Sequence, residues 1–315
     1  MKRQVFKKPD LSKVKRIALD ARPGKVATEF FAKPASSRMS DIIPDILAGK
    51  NIKCLAEAIR AARRKNKPVV LAYGAHLIKC GLSPLVISLI EKRWITACAT
   101  NGAGIIHDFE IARSGRTSEE VADTIKDGSF GMVKDTGIFL NAAASMAAAE
   151  GYGLGETFGR AVLGSNFWHK KLSIAAACAR KQMPFTVHAA IGTDIIYQHP
   201  ECDGAAWGAS SYTDFLKMIS VVSSLGDGGV FMNFGSAVII PEVFLKALSV
   251  ARNLAGGAGK IDNFTTANFD MYRMYRPFQN IVSRPVAASE SGAGYDFSGH
   301  HEIMLPLLYH LLTTK

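Results

Sequence analysis

The chain has 315 residues, a formal net charge of +11, 48% hydrophobic residues and 21% charged residues. That balance excludes a disordered chain, which would be poorer in apolar side chains and richer in charge. The longest apolar runs, Val69–Ala75 and Ala237–Pro241, fall far short of the roughly 18 residues of a membrane span. Met1–Asp20 lacks the continuous apolar block of a secretory signal.

Seven Lys or Arg against two Asp lie in residues 1–20. We read residues 1–50 as a basic N-terminal extension and residues 51–315 as one domain. No nucleic-acid-binding motif accompanies the basic arm, so a solvated end is expected there, without nucleic acid or membrane as partner. The five cysteines are odd in number and include no C-x-x-C. This spacing argues against a disulfide framework or structural zinc, and for a reducing, cytoplasmic setting.

In chain order, Asn51–Asn66 has apolar residues at helical spacing and a basic end at Arg63-Arg64-Lys65. Val69–Tyr73 reads as a buried strand, followed by a small-residue turn at Gly74-Ala75-His76. Ser83–Trp94 is apolar at helical period, and Ile95–Thr100 reads as a second strand. The Gly151–Gly155 stretch is the expected mobile loop. Phe167–Gln182 reads as a helix and Pro184–Ala190 as a strand. Tyr212–Leu225 is an expected helix, Gly229–Phe234 a strand, and Pro241–Leu254 a helix with proline at its start. Asp262–Ala267 reads as one more strand and His300–Leu312 as a terminal helix. Continuous apolar strands alternating with helices predict an α/β fold, with a single Rossmann-like parallel sheet and helices on both faces. Ligands of such sheets bind beyond the strand C-termini, near a switch point in strand order.

Asn101-Gly102-Ala103-Gly104 suits a backbone that approaches a pyrophosphate, or a tight turn needed only for packing. His188, Asp194, His199, Glu201 and Asp203 cluster within a short stretch. Three of them could converge on a metal, or a carboxylate could act as base. A buried, hydrogen-bonded His188 is the structural alternative. Trp207 could face a cationic amine or anchor a loop. Glu242 follows Pro241, where an acid favours the helix dipole in any case. His300-His301-Glu302 reads as a relay or ligand site, or as polar capping.

The ordered strand-end motifs, Leu71–Ile78 and then Thr100–Phe109 (TNGAGIIHDF), resemble the cofactor site of deoxyhypusine synthase. The resemblance continues through Pro184–His199, Gly235-Ser236-Ala237-Val238-Ile239, Pro241-Glu242, Thr266-Ala267 and Asp270. It implies a deoxyhypusine synthase-like NAD-binding fold. Gly74, Ala75, His76, Asn101, Gly102, Ala103, Gly104, His107, Asp108, Gly235, Ser236, Thr266, Ala267 and Asp270 would contact NAD. Asp194 stands on the aspartate that binds polyamine, with His188 or Glu242 left to handle a proton. His107 replaces the acid expected before Asp108.

The family forms an imine on a lysine after a Trp-Gly pair near the C-terminus. Here no lysine lies between Lys260 and Lys315, and no tryptophan follows Trp207. Arg284, in roughly the right stretch, stays protonated and cannot form an imine. The resemblance therefore implies an NAD-dependent transferase acting on an amine or polyamine without a covalent lysine stage. Hydride abstraction would give an imine, which passes to a free amine or to water. The alternatives are a non-catalytic NAD-binding protein of the same fold and a metal-dependent hydrolase using His188, Asp194 and His199. No resident metal is expected on the first reading. A homo-oligomer, a tetramer by analogy with the family, is implied.

Overall fold

The computed structural model describes residues 39–257, 261–287 and 289–314. The basic arm expected over residues 1–20 lies outside them. The chain divides into two compact units after Lys50; the sheet and its helices belong to the second.

Six strands form one parallel sheet: β1 (Val69–Tyr73), β2 (Ala97–Asn101), β3 (Phe185–His188), β4 (Val230–Phe234), β5 (Thr265–Asp270) and β6 (Ala293–Ser298). Their spatial order is β3-β2-β1-β4-β5-β6, the doubly wound arrangement whose crevice lies between β1 and β4. β1 and β4 are buried throughout, as strands covered on both faces must be. On one face, Val70, Ala72, Ala99 and Phe231 meet Met218, Val222, Phe244 and Leu248. Those partners come from the helices Gly204–Ser223 and Ile239–Leu254. The terminal helix His301–Thr313 packs on the helix Ser83–Glu91 and on β5. The expected helix over Asn51–Asn66 belongs to Leu47–Arg64, whose Leu55, Ile59 and Ala62 are buried.

Two ladders run across β4, β5 and β6 at successive positions. Phe234, Phe269 and Phe297 are in register and stacked, with centroid distances of 4.1 and 4.6 Å. On the opposite face, Asn233 Nδ2 donates to Asn268 Oδ1 at 2.8 Å and Asn268 Nδ2 to Asp296 Oδ1 at 2.9 Å.

Several expectations are corrected. The Gly151–Gly155 stretch is a tight link between the helices Lys134–Glu150 and Leu154–Gly164. Gly151 ends the first at φ +71°, and the Gly155 N–H donates to Asp214 Oδ2 at 2.7 Å. The helix expected over Phe167–Gln182 is only Ile174–Arg180, because Ser173 Oγ caps it by accepting from Ala176 N at 2.9 Å. The helix expected to begin at Tyr212 begins at Gly204, capped by Asp203. The fifth strand starts at Thr265 and runs on to Asp270. β6 (AGYDFS) is a sixth strand that polar and glycine residues disguise.

Candidate functional site at the strand C-termini

Each rim turn is tied to the strand beside it. Gly74 N donates to Phe234 O, Gly235 N to Phe269 O and Gly299 N to Asp270 O, each at 2.9 Å. Between β1 and β4 the two backbones touch. A Cβ on Gly74 would stand 2.6 Å from Gly235 O and 3.3 Å from Ser236 N. Gly235 has φ +68°, and its Cβ would meet His301 Cε1 at 2.4 Å. His301 is buried, with Nε2 3.2 Å from Phe269 O and Nδ1 without a protein partner. Its ring lies 5.5 Å from that of His76. Ser236 Oγ accepts from Ile240 N at 3.2 Å and so steadies the start of the next helix.

The neighbouring turn after β2 opens the helix Gly102–Ser114. Asn101 Oδ1 accepts from Gly104 N at 3.0 Å, a side-chain N-cap. Asp194 fills the space over Gly102, where a Cβ would stand 2.2 Å from Asp194 Oδ2. Ala103 N–H also supports the Asp194 carboxylate. Two first-turn amides are thus engaged by the chain itself, and the turn presents a carboxylate.

Beside it lies a cavity of about 220 Å³ lined by Lys79, Ala103, His107, Glu110, Glu119 and Asp194, among others. Burial pushes the Asp194 carboxyl up to about 6. Burial, then the charge of Lys79, pushes His107 down to about 4. His107 is therefore neutral at pH 7, and its 4.0 Å approach to Glu110 is a polar contact without a charge pair. Glu110 accepts from Thr136 Oγ1 at 3.2 Å, and Glu119 accepts from Gly131 N at 3.0 Å. A larger cavity, about 630 Å³, lies at the opposite end of β3 against Pro184 and Phe185. It holds none of the expected site residues and lies at the strand's N-terminal end, so the smaller one, which holds Ala103, His107 and Asp194, is the candidate beside the rim.

The rim brings together Gly74, Ala75, His76, Asn101, Gly102, Ala103, Gly104, Asp194, Gly235, Ser236 and Asp270. Others stand back. Asp108 is buried and accepts from Ser173 Oγ and, at 2.7 Å, from Ile174 N. Thr266 and Ala267 are buried inside β5. His188 pairs laterally with Asn101 at the end of β3, but it is buried, with Nε2 3.0 Å from Thr186 Oγ1. Burial pushes its pKa down to about 3. Glu242 is engaged by Lys246, by Arg276 at 3.3 Å and by Asn280 at 3.1 Å.

The stretch 188–207 disperses. His199 Nε2 lies 2.9 Å from Gly131 O, away from His188. Trp207 is fully buried, donating from Nε1 to Asn141 Oδ1 at 2.7 Å, so it is an anchor without a ligand-facing ring. The ligand set of the hydrolase reading does not assemble: among the described residues, the His/Cys/Asp/Glu group close enough to share an ion is His76, Cys80 and Glu302. Glu110, Glu119 and Lys79 carry no sequence motif, and only the tertiary fold reveals their convergence.

This architecture is the α/β fold of the deoxyhypusine synthase-like proteins. A chain assigned as a deoxyhypusine synthase from Entamoeba histolytica is similar in structure at TM-score 0.52 and 10% identity, over 95% of this chain and 96% of that one. ArgZ, an arginine dihydrolase of the ornithine-ammonia cycle in cyanobacteria, matches at TM-score 0.50 and 13% identity. AgrE, in a ternary complex with ornithine and NAD+, matches at TM-score 0.50 and 12% identity. Each covers 84% of this chain, which spans about a third (32%) of either one. No protein-family model and no curated sequence matches the chain. No helix among the described residues is long and apolar enough to cross a membrane.

Proposed function

We propose that the chain binds NAD in the β1/β4 crevice and acts on an amine or polyamine without a covalent lysine stage. The observation that carries this reading is the close backbone contact of Gly74 with Gly235 and Ser236, which leaves the crevice floor as bare backbone that any Cβ would push apart. His301 Nδ1, buried and unpaired beside it, is a polar atom that a ligand could satisfy. AgrE, of similar fold, holds ornithine and NAD+. Gly74, Ala75, His76, Gly235, Ser236 and Asp270 would hold the dinucleotide. When bound, NAD+ supplies a hydride acceptor.

The chain's own contribution centres on Asp194. Its carboxyl, raised to about 6 by burial, is mostly ionised at pH 7 and attracts an ammonium. A protonated amine must lose its proton before the adjacent C–H bond can give up hydride, and Asp194 is placed to take that proton. Glu110 and Glu119 line the same cavity and extend an acidic wall toward a second cationic centre. His188, buried and neutral, positions the β3 end, and Glu242 is a helix-terminal ion partner.

The test is to incubate the protein with NAD+ and a panel of polyamines and to follow nicotinamide reduction and amine consumption. Reduction of the cofactor with loss of an amine is expected. If neither occurs while calorimetry shows NAD binding, the non-catalytic reading replaces this one. Without NAD binding, both fail.

A further inference from the structure

We propose that His76, Cys80 and Glu302 form a binding site for a divalent transition-metal cation of the zinc or cobalt type. Each residue offers one donor atom, and these atoms lie within 4.8 Å of one another. His76 and Cys80 stand one turn apart, locked by the bond from Cys80 N to His76 O at 2.9 Å. Glu302 enters from the first turn of the helix His301–Thr313, so the site clasps the β1 turn to the chain after β6. Cys80 Sγ lies 3.5 Å from Glu302 Oε2.

The donor set favours such an ion. Thiolate with imidazole suits zinc and its neighbours, whereas magnesium and calcium take oxygen ligands. Three protein ligands leave a fourth position open, and Glu302 is exposed, so that position faces solvent. The surroundings support the ligands. His300 Nδ1 lies 3.7 Å from Glu302 Oε1. His301, with its unpaired Nδ1, lies beside His76. Lys79 opposes a cation from the same turn, and its exposed ammonium is screened by water.

Without an ion, Cys80 Sγ donates toward Glu302 Oε2 at 3.5 Å, so its proton lies between sulfur and carboxylate. A cation substitutes for that proton: the S–H bond breaks, a sulfur–metal bond forms, and the proton leaves to solvent. No redox partner is required.

The site shares His76 with the proposed NAD crevice, but its test uses neither cofactor nor turnover. The full chain, freed of metal by chelation, is titrated with Co2+ and read by absorbance. One ion per chain, with a thiolate-to-cobalt charge-transfer band in the near ultraviolet, is the expected result. Cys80→Ser abolishes the band, and Cys202→Ser, a half-buried cysteine elsewhere, leaves it unchanged. Glu302→Gln weakens cobalt binding by about tenfold or more, as loss of a ligand or its support does. Thermal unfolding of each variant reports folding. Absence of the band in the parent chain, or its survival in folded Cys80→Ser, overturns the proposal. NAD calorimetry on the same samples reports separately on the proposed function.

Discussion

Asp194 and Asp214 are both raised carboxyls, and they predict different experiments. Asp194 faces a cavity. Asp194→Asn removes the proton acceptor and should lower turnover of any amine substrate by about a hundredfold or more, the range for a lost general base. NAD binding in calorimetry should persist. Asp214 is buried, holding Gly155 N and Val187 N on Oδ2. Burial raises it from 3.8 to about 7. The folded chain then keeps a proton that the unfolded chain releases near pH 4, so this group makes stability fall as pH rises from about 4 to 7. Asp214→Asn lacks that loss. Relative to the parent, it should gain up to about 4 kcal/mol between pH 4 and pH 8 in denaturant titrations. Neither carboxyl's environment was legible in the sequence. Asp194 stood out as an acid near a strand end and by its match to the polyamine-binding aspartate of the resembled family, neither of which shows its burial; Asp214 sits in an ordinary amphipathic helix whose partner, the glycine link, looked like a loose loop.

At the scale of elements, the rim turns were readable because small residues follow apolar runs. Asn101 is the clearest case: the pattern Asn-Gly-Ala-Gly read as a phosphate-approaching or packing turn, and the structure makes Asn101 the N-cap of the helix that follows. Asn101→Ala should cost about 1 kcal/mol in chemical denaturation. Gly74→Ala should destabilise by about 1–3 kcal/mol through overpacking against Gly235 O and should abolish NAD binding in calorimetry. The amide ladder was not readable, since Asn233, Asn268 and Asp296 belong to three strands and only register joins them. Asn268→Ala removes one partner from each neighbour, Asn233 keeping Ser236 O and Asp296 keeping Arg273, and should cost about 1–3 kcal/mol. A double-mutant cycle between Asn233 and Asp296 should show coupling, because Asn268 bridges them. β6 escaped notice for the same reason: its polar and glycine residues acquire partners only beside β5.

For the whole molecule, alternation of apolar strands and helices was enough to give an α/β parallel sheet, whereas the strand order required the structure. The helix Lys134–Glu150 was missed because alanine dilutes its apolar stripe; Leu154–Gly164, whose Leu154, Phe158 and Val162 recur at helical spacing, was hidden by the glycine run read as a loop. If NAD binds the folded chain alone, a hundredfold excess over its Kd should stabilise the fold by about 2.7 kcal/mol, seen as a higher Tm. Light scattering should find a homo-oligomer; a monomer would mean that each site is complete within one chain.

The three rim amides that donate to neighbouring strands have a consequence for recognition. Because the sheet itself holds Gly74, Gly235 and Gly299, the crevice backbone is preorganised before anything enters it. A ligand settling there would forfeit little chain entropy, so selectivity would fall to bordering side chains such as His301, which lies against Gly235, and affinity could be retuned there without remodelling the floor.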